Sequence, residues 1–152
     1  FRIIFDPVKG TISSLIDKRT GREWVDSEGE QGLGQYMNER FTYEQSLNYT
    51  KVYQQGRAKD WMHPGLHKPG MVSEKKEPYR TVSPGNGMLT ISTAGNKQIA
   101  ELVMPGDASK HLAKTTLRVT LYQREPYVDM EVTIHDKPRD NWPEADWLCL
   151  PF

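Results

Sequence analysis

Cysteine is almost missing from this chain of 152 residues: Cys149 is the only one. That excludes an internal disulfide and any zinc site built on cysteines. Standing between Leu148 and Leu150, Cys149 is expected to be a buried thiol. Net charge is missing as well, because 20 basic side chains balance 20 acidic ones. No global field draws in nucleic acid or an anionic membrane, so neither is expected as a partner. Lys75-Lys76 is a local exception, but Glu74 and Glu77 flank it, and the stretch is expected to be a solvated loop. No apolar run approaches the ~20 residues that a membrane-spanning helix needs. No basic-then-apolar leader opens the chain. The first residue, Phe1, stands in a strand-like pattern and the last, Phe152, in an apolar run, which reads as a piece of a longer protein.

What the chain does have is alternation. In Thr116 to Ile134, TLRVTLYQREPYVDMEVTI, the residues Leu117, Val119 and Leu121 alternate with Arg118, Thr120 and Tyr122. Val128, Met130, Val132 and Ile134 alternate in the same way with Tyr127, Asp129, Glu131 and Thr133. A period of two gives each arm one aliphatic face and one polar or aromatic face. Arg124-Glu125-Pro126 supplies the bend, and Pro126 cannot donate to a ladder. The stretch is therefore an antiparallel hairpin with one dry and one wet face.

Further strands precede and follow it. Phe1 to Asp6 and Thr11 to Asp17 flank an Asp-Pro-Val-Lys-Gly turn, with Ile12 and Ile16 expected on one side of the second strand and Leu15 on the other. After a second turn at Asp17 to Gly21, Glu23-Trp24-Val25 completes a meander, and Trp24 is expected in the core. Residues 26–40 are polar and dotted with glycine, so they are expected to be loop or irregular edge. Thr42-Tyr43-Glu44-Gln45 has the spacing of a capping box and predicts a short helix ending before Gly56. From Arg57 to Pro84 the chain is rich in proline and has no sustained period, as in a long loop. Gly87 to Thr93 and Lys97 to Met104 form a second hairpin, and the stretch from Trp142 to Phe152 turns into an apolar strand. The expected architecture is all-β: two packed antiparallel sheets in a single sandwich domain, or part of one, with at most one short helix.

Two segments resemble a known family. The opening FRIIFDPVKGTISSLIDKRTGREWVD is similar to the start of the β-sandwich region in glycoside hydrolase family 38 α-mannosidases and their bacterial relatives. The matching residues are Asp6, Gly10, Ile12, Ser14, Leu15, Asp17, Lys18, Thr20, Gly21, Arg22 and Glu23. The closing WPEADWLCLPF resembles that region's "P-E-A" segment running into an apolar "P-F" strand. The resemblance implies a galactose-mutarotase-like β-supersandwich, the C-terminal part of a retaining, zinc-dependent enzyme. It also implies that zinc and the carboxylate nucleophile belong to a preceding α/β domain of the parent chain, leaving this segment no cofactor and no catalytic residue. The loop-rich stretch around residues 35–84 departs from the family pattern.

Candidate chemistry within the segment is sparse. Glu144 and Asp146 would share one strand face, and a retaining glycosidase needs two carboxyl groups about 5 Å apart. Capping or solvent exposure is the plainer role for them. His63 and His67 have i, i+4 spacing, but Pro64 and Gly65 oppose a helix there. His111 and His135 are isolated, as surface or locally bonded imidazoles are. Trp61, Tyr79, Trp142 and Trp147 offer flat faces of the kind on which sugar rings stack, although Trp147, inside a strand, fits the core better. The segment Trp61 to His67 suits a rim over a sugar pocket, making Trp61, His63 and His67 the candidate substrate-binding residues; alternatively, Trp61 pins a long loop onto the sandwich. Three functions follow. The first is a non-catalytic sandwich portion of an α-mannosidase-like hydrolase, the second a free-standing carbohydrate-binding module, and the third an assembly domain pairing through the strand at Leu148 to Phe152.

Overall fold

The computed structural model describes residues 1–53, 77–137, 139 and 142–152. Among them ten strands and one α-helix follow in order: β1 Arg2–Asp6, β2 Thr11–Asp17, β3 Arg22–Glu23, β4 Gln35–Arg40, α1 Tyr43–Tyr53, β5 Arg80–Val82, β6 Met88–Ala94, β7 Lys97–Met104, β8 Lys114–Tyr122, β9 Val128–His135 and β10 Glu144–Cys149. The fold is all-β, with three antiparallel sheets ordered β1-β2-β3, β10-β4-β5 and β6-β7-β8-β9. The chain divides into two compact units, one of Phe1–Met37, Ser83–Pro138 and Trp147–Phe152, the other of Asn38–Val82 and Arg139–Asp146.

The first unit is a sandwich. The β6–β9 sheet is in simple register, with Leu102 opposite Leu117 and Leu117 opposite Val132. Its inner row is therefore aliphatic, while Glu101, Arg118 and Glu131 stand opposite one another on the outer face. Leu102, Leu117 and Val119 are fully buried with Ile12 and Leu15 of the facing sheet, and Ile3 and Phe5 of β1 pack against the same cluster. The hairpins form where alternation and turn residues agree. Gly10 (φ 72°) closes the first turn by donating to the Asp6 carbonyl at 2.8 Å, while Asp6 Oδ1 accepts from the backbone N–H groups of Val8 and Lys9. Gly95 (φ 61°) supplies the positive φ of the β6–β7 turn.

Ile12 and Leu15 lie on the same side of β2, not on opposite sides as a strict period of two requires. The β1–β2 register slips between Ile4 and Phe5, so that Ile4 faces Ser14 and Phe5 faces Ile12. Ser13 is the extra residue of a β-bulge, and its hydroxyl donates to the Ile4 carbonyl at 3.2 Å. Beyond the bulge the parity reverses, and Leu15 and Asp17 turn inward while Ile16 stays partly exposed.

Other expectations also change. Trp24 is not core: it is 36% exposed, with the Arg22 guanidinium 3.9 Å above its ring, and Val25 is buried beside it. Trp147, also expected in the core, is 49% exposed. Cys149 is half-buried, and partial desolvation raises its thiol pKa. Residues 35–40, expected as loop or edge, form β4, and residues 80–82, expected within a long loop, form β5.

In the second unit, α1 begins as the capping box predicts. Thr42 Oγ1 accepts from the Gln45 N–H at 3.0 Å, and Gln45 Oε1 accepts from the Thr42 N–H at 2.8 Å. The N–H groups of Thr42 and Gln45, two of the donors left open at a helix start, are thereby satisfied. Trp142 is buried and donates its indole N–H to the Phe41 carbonyl at 2.6 Å, while the Phe41 N–H donates to Pro143.

Candidate functional site

The candidate rim residues Trp61, His63 and His67 lie outside the described residues. The other aromatic candidates separate. Trp142 is buried with its N–H satisfied, so it is a core residue and presents no flat face for a sugar. Tyr79 is half-exposed and donates to Glu39 Oε1 at 2.8 Å, which raises the phenol pKa. His135 is locally bonded, with Nε2 2.9 Å from Thr116 Oγ1. His111 closes the short 3-10 turn Ala108–Lys110 in a left-handed conformation (φ 55°).

Glu144 and Asp146 do share one face of β10, and both meet Asn38 of β4. The Asn38 amide donates to Asp146 Oδ1 at 2.9 Å and to Glu144 Oε2 at 3.3 Å. Two residues further along β4, Arg40 has no exposed side-chain surface. Its guanidinium donates to Glu77 Oε2 at 2.7 and 3.2 Å and to Glu144 Oε2 at 3.3 Å. Glu77 was expected in a solvated loop, but it is an ion-pair partner of a buried cation. Asn38 Oδ1 is buried and has no hydrogen-bond partner among the described residues. The cluster's arrangement is that of a structural polar core: a planar fork matched to carboxylates, tying β4, β10 and residue 77 together.

Glu23, one of the residues that carry the family resemblance, also has a structural role. Its carboxylate accepts from Ser14 Oγ at 2.5 Å and from the backbone N–H groups of Leu15, Trp24 and Val25 at 2.8 to 3.0 Å. These donors, led by the Ser14 hydroxyl, lower its pKa to about 2. A side chain with four donors pins β3 to β2 and is not free to exchange protons near neutrality.

The wet face of the β8–β9 hairpin has a different character. Tyr122 and Tyr127 approach to 5.1 Å between ring centroids, tilted by 48°. Tyr122 donates to Asp129 Oδ2 at 2.6 Å, and that bond pushes the phenol pKa up to about 12. Arg118, Tyr122, Asp129 and Glu131 border a shallow cavity of about 370 Å³. Aromatic faces beside planar polar groups can hold a polyhydroxylated ring, with apolar C–H on the ring face and hydroxyls on the carboxylate and guanidinium. The alternation in Thr116 to Ile134 had put Tyr122, Asp129 and Glu131 on this face, but only as a solvated surface. The cross-strand pairing that gathers them requires the register.

No protein-family model matches the chain, and neither a curated protein nor a solved structure matches it.

Proposed function

We propose that these residues are the non-catalytic β-sandwich portion of an α-mannosidase-like glycoside hydrolase. In this reading they form a galactose-mutarotase-like supersandwich that buttresses the catalytic α/β domain of the same parent chain and borders its sugar pocket. The observation that carries the reading is the apolar end of β10 and the residues after it. Trp147, Leu148, Leu150 and Phe152 are 49, 45, 53 and 73% exposed. Large apolar side chains that stay about half exposed or more at Leu148, Leu150 and Phe152 mark a surface that another domain covers. The motif residues fit the same reading, because Asp6, Asp17 and Glu23 shape turns and strand pairings. Zinc, in this reading, belongs to the α/β domain. No step is assigned to zinc on this segment.

The test is release of p-nitrophenol from aryl α-mannosides by the 152 residues alone, with and without zinc. No turnover is expected. Turnover that disappears in Glu144→Gln or Asp146→Asn overturns the reading.

A second reading, a carbohydrate-binding module, is favoured by the Tyr122–Tyr127 pair beside Asp129. It predicts chemical-shift changes confined to residues 118–131 on titration with mannosides, weakened by Tyr127→Ala. A flat titration disposes of it.

A further inference from the structure

The two sheets of the sandwich do not cover each other along their whole length. The aliphatic row of the β6–β9 sheet is sealed at Leu102 and Leu117 but continues outward to Ile91, which is 66% exposed, and to Ala100 and Leu121. Ile3 and Phe5 of β1 form the opposite wall. Between them lies an apolar cleft of about 270 Å³. A second cavity of about 410 Å³ adjoins it, with Phe1, Lys18, Gln98 and Leu121 lining both. The second cavity is the more polar of the two, with Asn96, Gln98 and Gln123 in its lining.

Charge at this opening is one-sided. Arg2 and Lys18 border the apolar cleft, and Lys18 and Lys97 border the polar mouth. No carboxylate is among the residues lining either cavity, in a chain whose acids and bases are otherwise equal in number. The Lys97 ammonium is held 4.9 Å from the centre of the Tyr122 ring, and Tyr122 itself lines the mouth. An apolar slot with a few polar groups at one end is the usual construction of a small-molecule site. Cations at an opening that no carboxylate lines raise the concentration of anions there.

We infer that the cleft between β1 and the β6–β9 sheet binds a small anionic amphiphile, its apolar body lying against Ile91, Ala100 and Leu121 and its acidic head at Lys18 and Lys97. Charge complementarity argues for this occupant: a neutral apolar ligand would make no use of the cations, and an inorganic anion none of the apolar floor. No residue of β10 or of the stretch after it is among the residues lining either cavity, and the inference stands apart from the glycoside hydrolase reading.

The experiment uses the 152-residue chain and three probes: decanoate, decanol with the same tail, and acetate with the same head. Binding is followed by calorimetry and by backbone amide shifts. Decanoate is expected to saturate, moving the amides of Ile91, Ala100 and Leu121, with decanol and acetate each weaker by about tenfold or more. The double variant Lys18→Gln/Lys97→Gln, altered only at solvent-exposed positions, is expected to lower decanoate affinity about tenfold while leaving decanol unchanged. Ile91→Glu places a carboxylate at the slot and is expected to abolish decanoate binding. Equal affinities for decanoate and decanol, shifts elsewhere on the chain, or no saturation would each overturn the inference.

Discussion

Arg40 and Glu144 are 104 residues apart in sequence and 3.3 Å apart in space, with the Arg40 side chain wholly buried and that of Glu144 only 11% exposed. Glu77, 37 residues after Arg40, meets the same guanidinium at 2.7 Å. Removing one member of a buried ion pair leaves the others desolvated and uncompensated, which costs about 3–5 kcal/mol. Arg40→Met is therefore expected to destabilise the chain by about that amount in urea unfolding. Arg40→Lys keeps the charge but loses the planar fork, and is expected to recover only part of the loss. A change below about 1 kcal/mol in Arg40→Met contradicts the role given to this cluster.

Glu23 gives a pH dependence with a definite sign. Its carboxyl titrates at about 2 in the folded chain against an ordinary value of 4.5. Between those values the unfolded chain binds more protons, so this contribution to stability is complete above about pH 4.5 and is lost as pH falls through about 2. Asp107, bonded to Ser109 and Lys110, titrates at about 2 as well and acts in the same direction. Denaturation midpoints measured from pH 5 to pH 2 are expected to fall in the parent sequence and to fall less steeply in Glu23→Gln.

Gly34 holds a φ of 78° and donates its N–H to the Cys149 carbonyl at 2.9 Å. An added Cβ would come within 2.9 Å of Leu117 Cδ2. Strain from the left-handed backbone and overpacking against the core combine, so Gly34→Ala is expected to cost about 2 kcal/mol or more in thermal melts. An unchanged melting temperature rules this account out.

Tyr122 provides a spectroscopic check on the wet face of the hairpin. Its hydrogen bond to Asp129 pushes the phenol up to about 12, from an ordinary value of 10.0. Phenolate absorbance is expected to include one late-titrating tyrosine, and Asp129→Asn is expected to bring it back towards the ordinary range. Identical titration curves for the two proteins would mean that the bond does not persist in solution.

The parts of the fold legible in sequence are those where side-chain polarity and strand geometry agree. The β8–β9 hairpin was readable because Leu117, Val119, Val128, Met130 and Val132 keep a period of two with no interruption. The helix start was readable because Thr42 and Gln45 carry their capping chemistry locally. Strand β4 was not, because the row it turns inward is Tyr36, Asn38 and Arg40, which looks like a solvated stretch. What makes Arg40 a core residue is the arrival of Glu77 and Glu144 from elsewhere in the chain, and nothing near residue 40 announces either. The Ser13 bulge is equally silent, since a single inserted residue changes no composition but reverses the parity of everything after it. The tryptophans misled for a related reason. Trp24 gains cover from one guanidinium and stays at the surface, whereas Trp142, beside a turn-like Pro-Glu segment, is buried with its indole N–H donated to the Phe41 carbonyl.

The claim that matters most is that the apolar end of β10 seats a neighbouring domain. Sedimentation velocity on the 152-residue chain mixed with the α/β domain proposed as its neighbour, expressed separately, tests it directly. A one-to-one complex is expected, and it is expected to weaken by about tenfold or more in Leu150→Asp, because that change puts a charge in the middle of the exposed apolar row. Two independently sedimenting species, or a complex indifferent to Leu150→Asp, would contradict it.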